Sequence, residues 1–278
     1  MDRIPFTVTM RKDLLKRVDS LVDGTQIRNR SHALEFVVSS HFKPKVKKAL
    51  ILAGGEAIKI KPSANEIPKT MLPVKGKPIF EHILGLLQKQ DIKEVYVAIG
   101  HLGKKIREKF GDGSKYSVKI TYLEEKSNLG TGGALKAALS KMGEDPFLMI
   151  WGDELIDIDL GDMIDFHMMQ RPIMTIALTS VSDPTGYGAV KLRRDMVVEH
   201  IEKPAKTRDV SHLVSAGIHV VDPKIASFLP HKRTFLLESG VIPQLTQKGQ
   251  IRGYLFEGQW FDVGTPGVYQ RAIKEWRG

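Results

Sequence analysis

Cysteine is absent from the 278 residues, which excludes disulfides, thiolate catalysis and Cys-based zinc sites together. No apolar run approaches the roughly 18 residues that a membrane span needs. The opening stretch, MDRIPFTVTM, lacks the apolar centre of a signal peptide, so a cytoplasmic location is expected. Nine histidines form neither an H-x-H nor an H-E-x-x-H pattern, which argues against an imidazole metal cage. Walker A and G-x-G-x-x-G fingerprints are missing, and no hexapeptide repeat follows, so acyl transfer is not expected. What is present, 42% hydrophobic and 27% charged residues, suits a soluble globular chain with room for a small module and a large one.

The formal charge of +10 is unevenly spread: residues 1–48 hold eleven Lys or Arg against five Asp or Glu, whereas the rest hold 31 against 27. A basic segment of this kind is either a solvated face or a polyanion footprint. Within it Phe6, Val8 and Met10 alternate with Thr7 and Thr9, the period of a strand with one buried face. Leu14, Leu15, Val18, Leu21 and Val22 then recur at helical spacing. Asp23-Gly24 is expected to stop that helix, and Ser31 to cap a second one carrying Ala33, Leu34, Phe36, Val37 and Val38 and ended by Pro44. One strand and two short helices bury too little to fold alone, so pairing with a second copy is expected. The order resembles the ribbon-helix-helix repressor family over residues 3–42. That resemblance implies a homodimer or higher homo-oligomer on double-stranded DNA. Thr7, Thr9, Arg3 and Arg11 would face bases, and Asn29, Arg30 and Ser31 would meet the phosphate backbone. A dimerisation clip without DNA contact would use the same pattern. The connector KPKVKK over residues 43–48 places the domain boundary between 1–44 and 45–278.

From Lys48 the chain reads ALILAGG, an apolar run ending in glycines, as for a strand buried on both faces. Helices near 79–90, 104–110 and 131–142 then alternate with strands at 94–99, 118–123 and 147–151. This alternation predicts an α/β fold: a Rossmann-like mixed, mostly parallel sheet with helices on both faces, ligands lying beyond the carboxyl ends of the strands. Gly54, Gly55 and Asp153 fall at such ends.

LAGGEAIKIKP, IPKTMLPVKGKPIFEHIL, NLGTGGALKAAL, WGDELIDIDL, YGAV, IEKP, SAGIHVV and WFDVGTPGVY follow one another over residues 48–275. In that order and spacing they resemble the sugar-1-phosphate nucleotidyltransferases, which join a nucleoside triphosphate to a sugar 1-phosphate and release pyrophosphate. The resemblance implies Mg2+ held by Asp153 and Asp262, with Lys69 on the nucleotide phosphates and Lys203 on the sugar phosphate. It implies nucleotide contacts from Leu52, Ala53, Gly54, Gly55, Gly130, Thr131 and Gly132, and sugar-phosphate contacts from Gly188, Glu202 and Gly217. The wording is closest to mannose- or heptose-1-phosphate guanylyltransferases, with glucose-1-phosphate uridylyl or thymidylyl transfer next.

One segment departs from the family's G-G-x-G-T-R-L-x-P loop, since Ala57, Ile58 and Lys59 stand at the G-T-R positions. Ala57 restricts the backbone, Ile58 removes a hydroxyl, and Lys59 keeps the charge of a catalytic guanidinium without its fork. Two classes therefore stay open: a working transferase with a DNA-binding domain, or a transcription regulator that senses a ligand with a degenerate transferase domain.

Overall fold

The computed structural model describes residues 4–25, 27–41, 46–55, 57–59, 66–207 and 209–278. The chain divides into two units, residues 1–44 and 45–278. In the first, helix α1 (Lys12–Asp19) and helix α2 (Arg30–His41) pack through Val18 and Ala33, both buried. The expected strand over Phe6–Met10 is irregular in the single chain, because a lone strand has no partner to complete its hydrogen-bond ladder. Phe6 and Val8, expected on a buried face, are 79% and 51% exposed. The first helix also stops before Leu21. The Asp23 carboxylate then accepts from the N–H groups of Thr25 and Ile27 at 2.8 and 2.9 Å, and Gly24 takes a φ of 74°. Asn29, not Ser31, caps α2: its Oδ1 accepts from His32 N–H at 3.0 Å, and Ser31 sits inside the first turn. Pro44 lies outside the described residues.

In the second unit β1 (Lys48–Ala53), β2 (Ala57–Lys59), β3 (Glu66–Pro68), β4 (Pro73–Val74) and β5 (Lys77–Pro78) lead into α3 (Ile79–Lys89). Then come β6 (Glu94–Ile99), α4 (Gly103–Phe110), β7 (Lys119–Glu124), α5 (Gly130–Met142) and β8 (Phe147–Trp151). β9 (Glu154–Ile156), α6 (Leu160–Gln170), β10 (Met174–Ser180), β11 (Gly188–Arg193), β12 (Met196–Glu202) and β13 (Leu213–Val221) follow. α7 (Leu237–Gly240), α8 (Ile242–Gln247), β14 (Ile251–Leu255), β15 (Trp260–Asp262) and α9 (Pro266–Glu275) complete it.

The main sheet has nine strands in the order β10-β14-β12-β11-β13-β8-β1-β6-β7. Strands β8, β1, β6 and β7 are parallel, joined by the helical crossovers that parallel strands require. The expectation of a mostly parallel sheet holds for that block and for the β10–β14 pair; the other pairings are antiparallel. β13 runs antiparallel to β8, and β11 pairs antiparallel with β12 and β13, since a tight turn at Arg194, with φ 59°, closes β11 and β12 into a hairpin. Alternate residues of β1 enter opposite cores. Ala49 and Ile51 join α3, α4, α6 and α9 on one face, and Leu50 joins α5, α7 and α8 on the other. Each fully buried side chain the size of Leu50 or Ile51 contributes roughly 1.5–3 kcal/mol. Among the described residues no helix is long and apolar enough to cross a membrane.

Three histidines are set into this sheet and its helices. His167 Nδ1 lies 2.8 Å from the Thr175 hydroxyl, and burial lowers its pKa to about 4. Burial likewise lowers His200 to about 4 and His219 to about 3. The unfolded chain binds these protons first, so stability should be full above the ordinary value of 6.5 and fall as pH drops from there toward 4. Melting temperatures measured across that range should decline steadily, and His167→Asn should flatten part of the decline. A level profile would mean that the histidines do not couple protonation to folding.

Candidate active site

The carboxyl end of β8 is held tightly to β1. Gly152 N–H donates to Leu52 C=O at 2.9 Å, and a Cβ on Gly152 would lie 2.6 Å from Thr70 Cγ2. The bare glycine thus lets the short 3-10 turn Lys69–Met71 close over the strand end. Lys69 Nζ reaches Asp153 Oδ2 at 3.3 Å, each side chain 24% exposed. Asp262 arrives from the other direction on β15, whose antiparallel pairing with β9 sets Asp262 opposite Glu154. Val263 N–H donates to Asp153 C=O at 3.2 Å, and Gly264 N–H to Asp262 Oδ1 at 2.8 Å. Burial and then the Asp153 charge raise the Asp262 pKa, while Lys69 and Lys203 oppose the shift. Two carboxylates and two lysines therefore share one electrostatic site. Lys203 follows β12 with a φ of 44°, a left-handed backbone that costs of order 1–3 kcal/mol in a non-glycine residue. Its N–H donates to Tyr187 C=O at 3.0 Å.

Beneath the site lies Glu154, which sequence reasoning missed. It is fully buried, accepts from Trp260 Nε1 at 2.7 Å, and has a pKa raised well above the carboxylate range by burial and by Asp262 and Asp153. Gly217, at φ 71°, makes room for it: a Cβ there would sit 2.5 Å from Glu154 Oε1. Trp260 in turn meets the Tyr187 ring at 5.1 Å. The acid-rich run GDELIDIDL contains Glu154, but only the β9–β15 register reveals its neighbours.

On the sugar-expected side, Gly188 and Glu202 are opposite in the β11–β12 register. Burial raises the Glu202 pKa, with Glu238 adding to the shift. On the nucleotide-expected side, Leu52 and Ala53 end β1 and Gly54 follows it, and a Cβ on Gly54 would lie 3.0 Å from Glu125 Oε2. A cavity of about 390 Å³ opens beside Glu125, lined also by Gly100, Lys104, Arg107 and Glu124. Gly55 has open space around it. The turn at Gly130, Thr131 and Gly132 is bound differently from the expectation of a base-facing backbone. The N–H groups of Gly132 and Gly133 donate to Phe235 C=O at 3.1 and 3.3 Å, and Thr131 Oγ1 donates to Glu238 at 2.6 Å. A Cβ on Gly132 would penetrate the Phe235 ring at 2.2 Å, so packing accounts for that glycine.

Lys59 is described in its backbone only, paired with Glu66 in the β2–β3 ribbon. Arg3 lies outside the described residues. Of the residues expected at DNA, Arg30 forms a double hydrogen bond to Asp19 of α1 at 2.7 and 2.9 Å, and Arg11 pairs with Asp13 at 3.2 Å at the start of α1; both guanidinium side chains are exposed.

Fold and site together define an α/β protein whose phosphate-suited charges gather where parallel strands end. The model of the nucleotidyl transferase family matches residues 48–277, and the chain belongs to that family. It is 32% identical over 228 residues to the mannose-1-phosphate guanylyltransferase of Mycobacterium tuberculosis, covering 81% of this chain and 63% of that one. The chain thus spans under two thirds of that relative's length. It is 29% identical over 227 residues to the D-glycero-alpha-D-manno-heptose 1-phosphate guanylyltransferase of Aneurinibacillus thermoaerophilus, covering 82% of this chain and 97% of that one. The crystal structure of HddC from Yersinia pseudotuberculosis complexed with GMP-PN shares the fold, with a TM-score of 0.70, 24% identity, and coverage of 84% and 100%.

Proposed function

We propose that the second unit is a sugar-1-phosphate nucleotidyltransferase of the mannose, heptose or glucose type. The observation that carries this reading is the meeting of Asp153, Asp262, Lys69 and Lys203 at one electrostatic site. An oxygen of the sugar 1-phosphate attacks the α-phosphorus of the nucleoside triphosphate. The bond from that phosphorus to the bridging oxygen breaks, and its electron pair leaves with pyrophosphate. The attacking phosphate is already ionised, so no general base is needed; the barrier lies in gathering anions. Lys203 holds the sugar phosphate, Lys69 the nucleotide phosphates, and the end of β1 at Leu52 and Ala53, with Gly54 after it, faces the nucleoside. Two electrostatically coupled carboxylates, the Asp262 pKa raised by burial and then by Asp153, suit a hard divalent cation, and Mg2+ needs few protein ligands because it retains waters. Asp153 and Asp262 would hold it, and it supplies Lewis-acid charge at the phosphates when bound. Gly188, Glu202 and Gly217 line the sugar side.

The test is pyrophosphate release with ATP, GTP, UTP, CTP and dTTP against mannose, heptose and glucose 1-phosphates, with Mg2+ supplied. Release with one pair supports the reading, and silence with all pairs removes it.

Residues 1–44 are the DNA-binding part of the proposal: two copies pair their segments around Phe6 and Val8 into a ribbon and bind duplex DNA in the cytoplasm. The support is the basic charge together with apolar side chains left open in the single chain, Ile4 at 85% and Phe6 at 79% exposure. Removing residues 1–44 should lower the oligomeric order in light scattering and abolish DNA binding. Binding by the full chain should fall steeply with salt. Thr7→Ala with Thr9→Ala should relax sequence preference more than it weakens non-specific binding. An unchanged assembly after truncation would rule out the ribbon as the link, and no binding to genomic fragments at low salt would leave a dimerisation clip. The departures at Ala57, Ile58 and Lys59 favour one second reading, a regulator that binds a nucleotide, sugar phosphate or sugar nucleotide without turning it over.

A further inference from the structure

We propose that His200 is a specificity-determining residue whose imidazole Nε2, beside Gly188 and Glu202, hydrogen-bonds a hydroxyl of the bound sugar. The inference rests on the nucleotidyltransferase reading and adds a residue to it. In the β11–β12 register Glu202 faces Gly188 and His200 faces Val190, so the histidine and the glutamate project from the same side of their strand. A Cβ on Gly188 would lie 2.6 Å from His200 Nε2 and 3.1 Å from Glu202 Oε2. His200 Nε2 and Glu202 Oε2 thus converge on the bare face of Gly188, where any side chain would collide with them. This group adjoins the centre already described. Lys203 directly follows Glu202, and Tyr187, which accepts the Lys203 N–H, directly precedes Gly188.

Hydrogen-bond accounting separates this histidine from its neighbour. His219 Nε2 lies 3.2 Å from the Ser215 hydroxyl, and its ring meets Trp151 edge-on at 4.7 Å. That histidine is engaged by the protein. His200 Nδ1 is buried without a hydrogen-bond partner, and among the described residues its Nε2 has none. Of the two nitrogens Nε2 is the one beside Gly188 and Glu202, so it is Nε2 that a ligand there would meet. Burial keeps the ring neutral, with its pKa lowered to about 4, and a neutral imidazole offers one donor and one acceptor. Glu202 offers acceptors when ionised. A hydroxyl, which both donates and accepts, matches that pair, whereas a phosphate, which only accepts when fully ionised, would be repelled by Glu202. The sugar ring is therefore the part of the substrate that fits.

The experiment compares wild type, His200→Leu and His200→Gln by steady-state kinetics, and by calorimetric binding of mannose 1-phosphate, glucose 1-phosphate and their monodeoxy analogues. His200→Leu should weaken the preferred sugar phosphate about tenfold, the size expected for one buried hydrogen bond, and leave the KM for the triphosphate unchanged. His200→Gln should restore most of the loss. The penalty should vanish for the one deoxy analogue that lacks the hydroxyl being read. An equal penalty on every analogue, or none on any, would overturn the assignment and leave a structural role or an ordered water on His200. If His200→Leu fails to fold, as judged by melting, His200→Gln and His200→Asn carry the same comparison. Binding that depends on His200 without turnover would defeat the transferase reading alone. Turnover that ignores His200 would defeat this inference alone, and absence of binding by wild type would defeat both.

Discussion

Asp153→Asn and Asp262→Asn should each lower nucleotidyl transfer by about a thousandfold, because loss of one carboxylate weakens a cation worth several kcal/mol of transition-state charge stabilisation. Their effects on folding should have opposite signs. Asp262 has a pKa raised by burial and by Asp153, so at neutral pH the folded state carries its charge at a cost. The neutral amide removes that cost, and metal-free Asp262→Asn should melt at least as high as wild type. Asp153 instead receives Lys69 at 3.3 Å, and Asp153→Asn leaves that ammonium without its carboxylate, so it should melt slightly lower. The DNA binding proposed for residues 1–44 should survive in both variants, since the substitutions lie outside that unit. Pyrophosphate release, scanning calorimetry without metal and a DNA shift assay check the three parts. Retained turnover in either variant would show that the carboxylates do not hold the cation.

Restoring Ala57→Gly, Ile58→Thr and Lys59→Arg together should separate enzyme from sensor. If triphosphate grip limits the reaction, the triple variant should gain about tenfold to a thousandfold for each phosphate contact recovered, judging from single donors lost at other electrophilic sites. Glycine frees the backbone for close approach, and a guanidinium offers two parallel donors where an ammonium is a point charge. A sensor should bind its ligand before the change, turn over little, and gain rate afterward. An enzyme adapted to its own loop should turn over already and gain little. If both proteins bind sugar nucleotides and neither reacts with any triphosphate, the loop is not the limiting defect and the regulatory reading leads.

The order of elements from β1 to β8 was legible because buried strands and amphipathic helices impose different periods on the same chain. The antiparallel half was not. The β11–β12 hairpin closes over Arg194-Asp195 without a glycine or proline to mark it, and strand direction depends on partners far away in sequence. Capping at Asn29 rather than the expected Ser31 shows the same limit at short range: both side chains carry an acceptor oxygen, and geometry selected the one that reaches His32 N–H.

Local pattern and residue type by themselves determined the strand-helix alternation over residues 48–151, the exclusion of thiol chemistry, and the supply of carboxylates and lysines for a phosphate site. Tertiary structure alone decided which of those charges meet. It set Asp262 beside Asp153 through the β9–β15 register, hid Glu154 under Gly217, tied the Gly132 turn to Phe235, and left His200 unpartnered beside Glu202. The physical reason is that composition and periodicity report whether a side chain seeks water or apolar surface, whereas charge coupling, desolvation and hydrogen-bond satisfaction depend on ångström separations between residues distant in the chain.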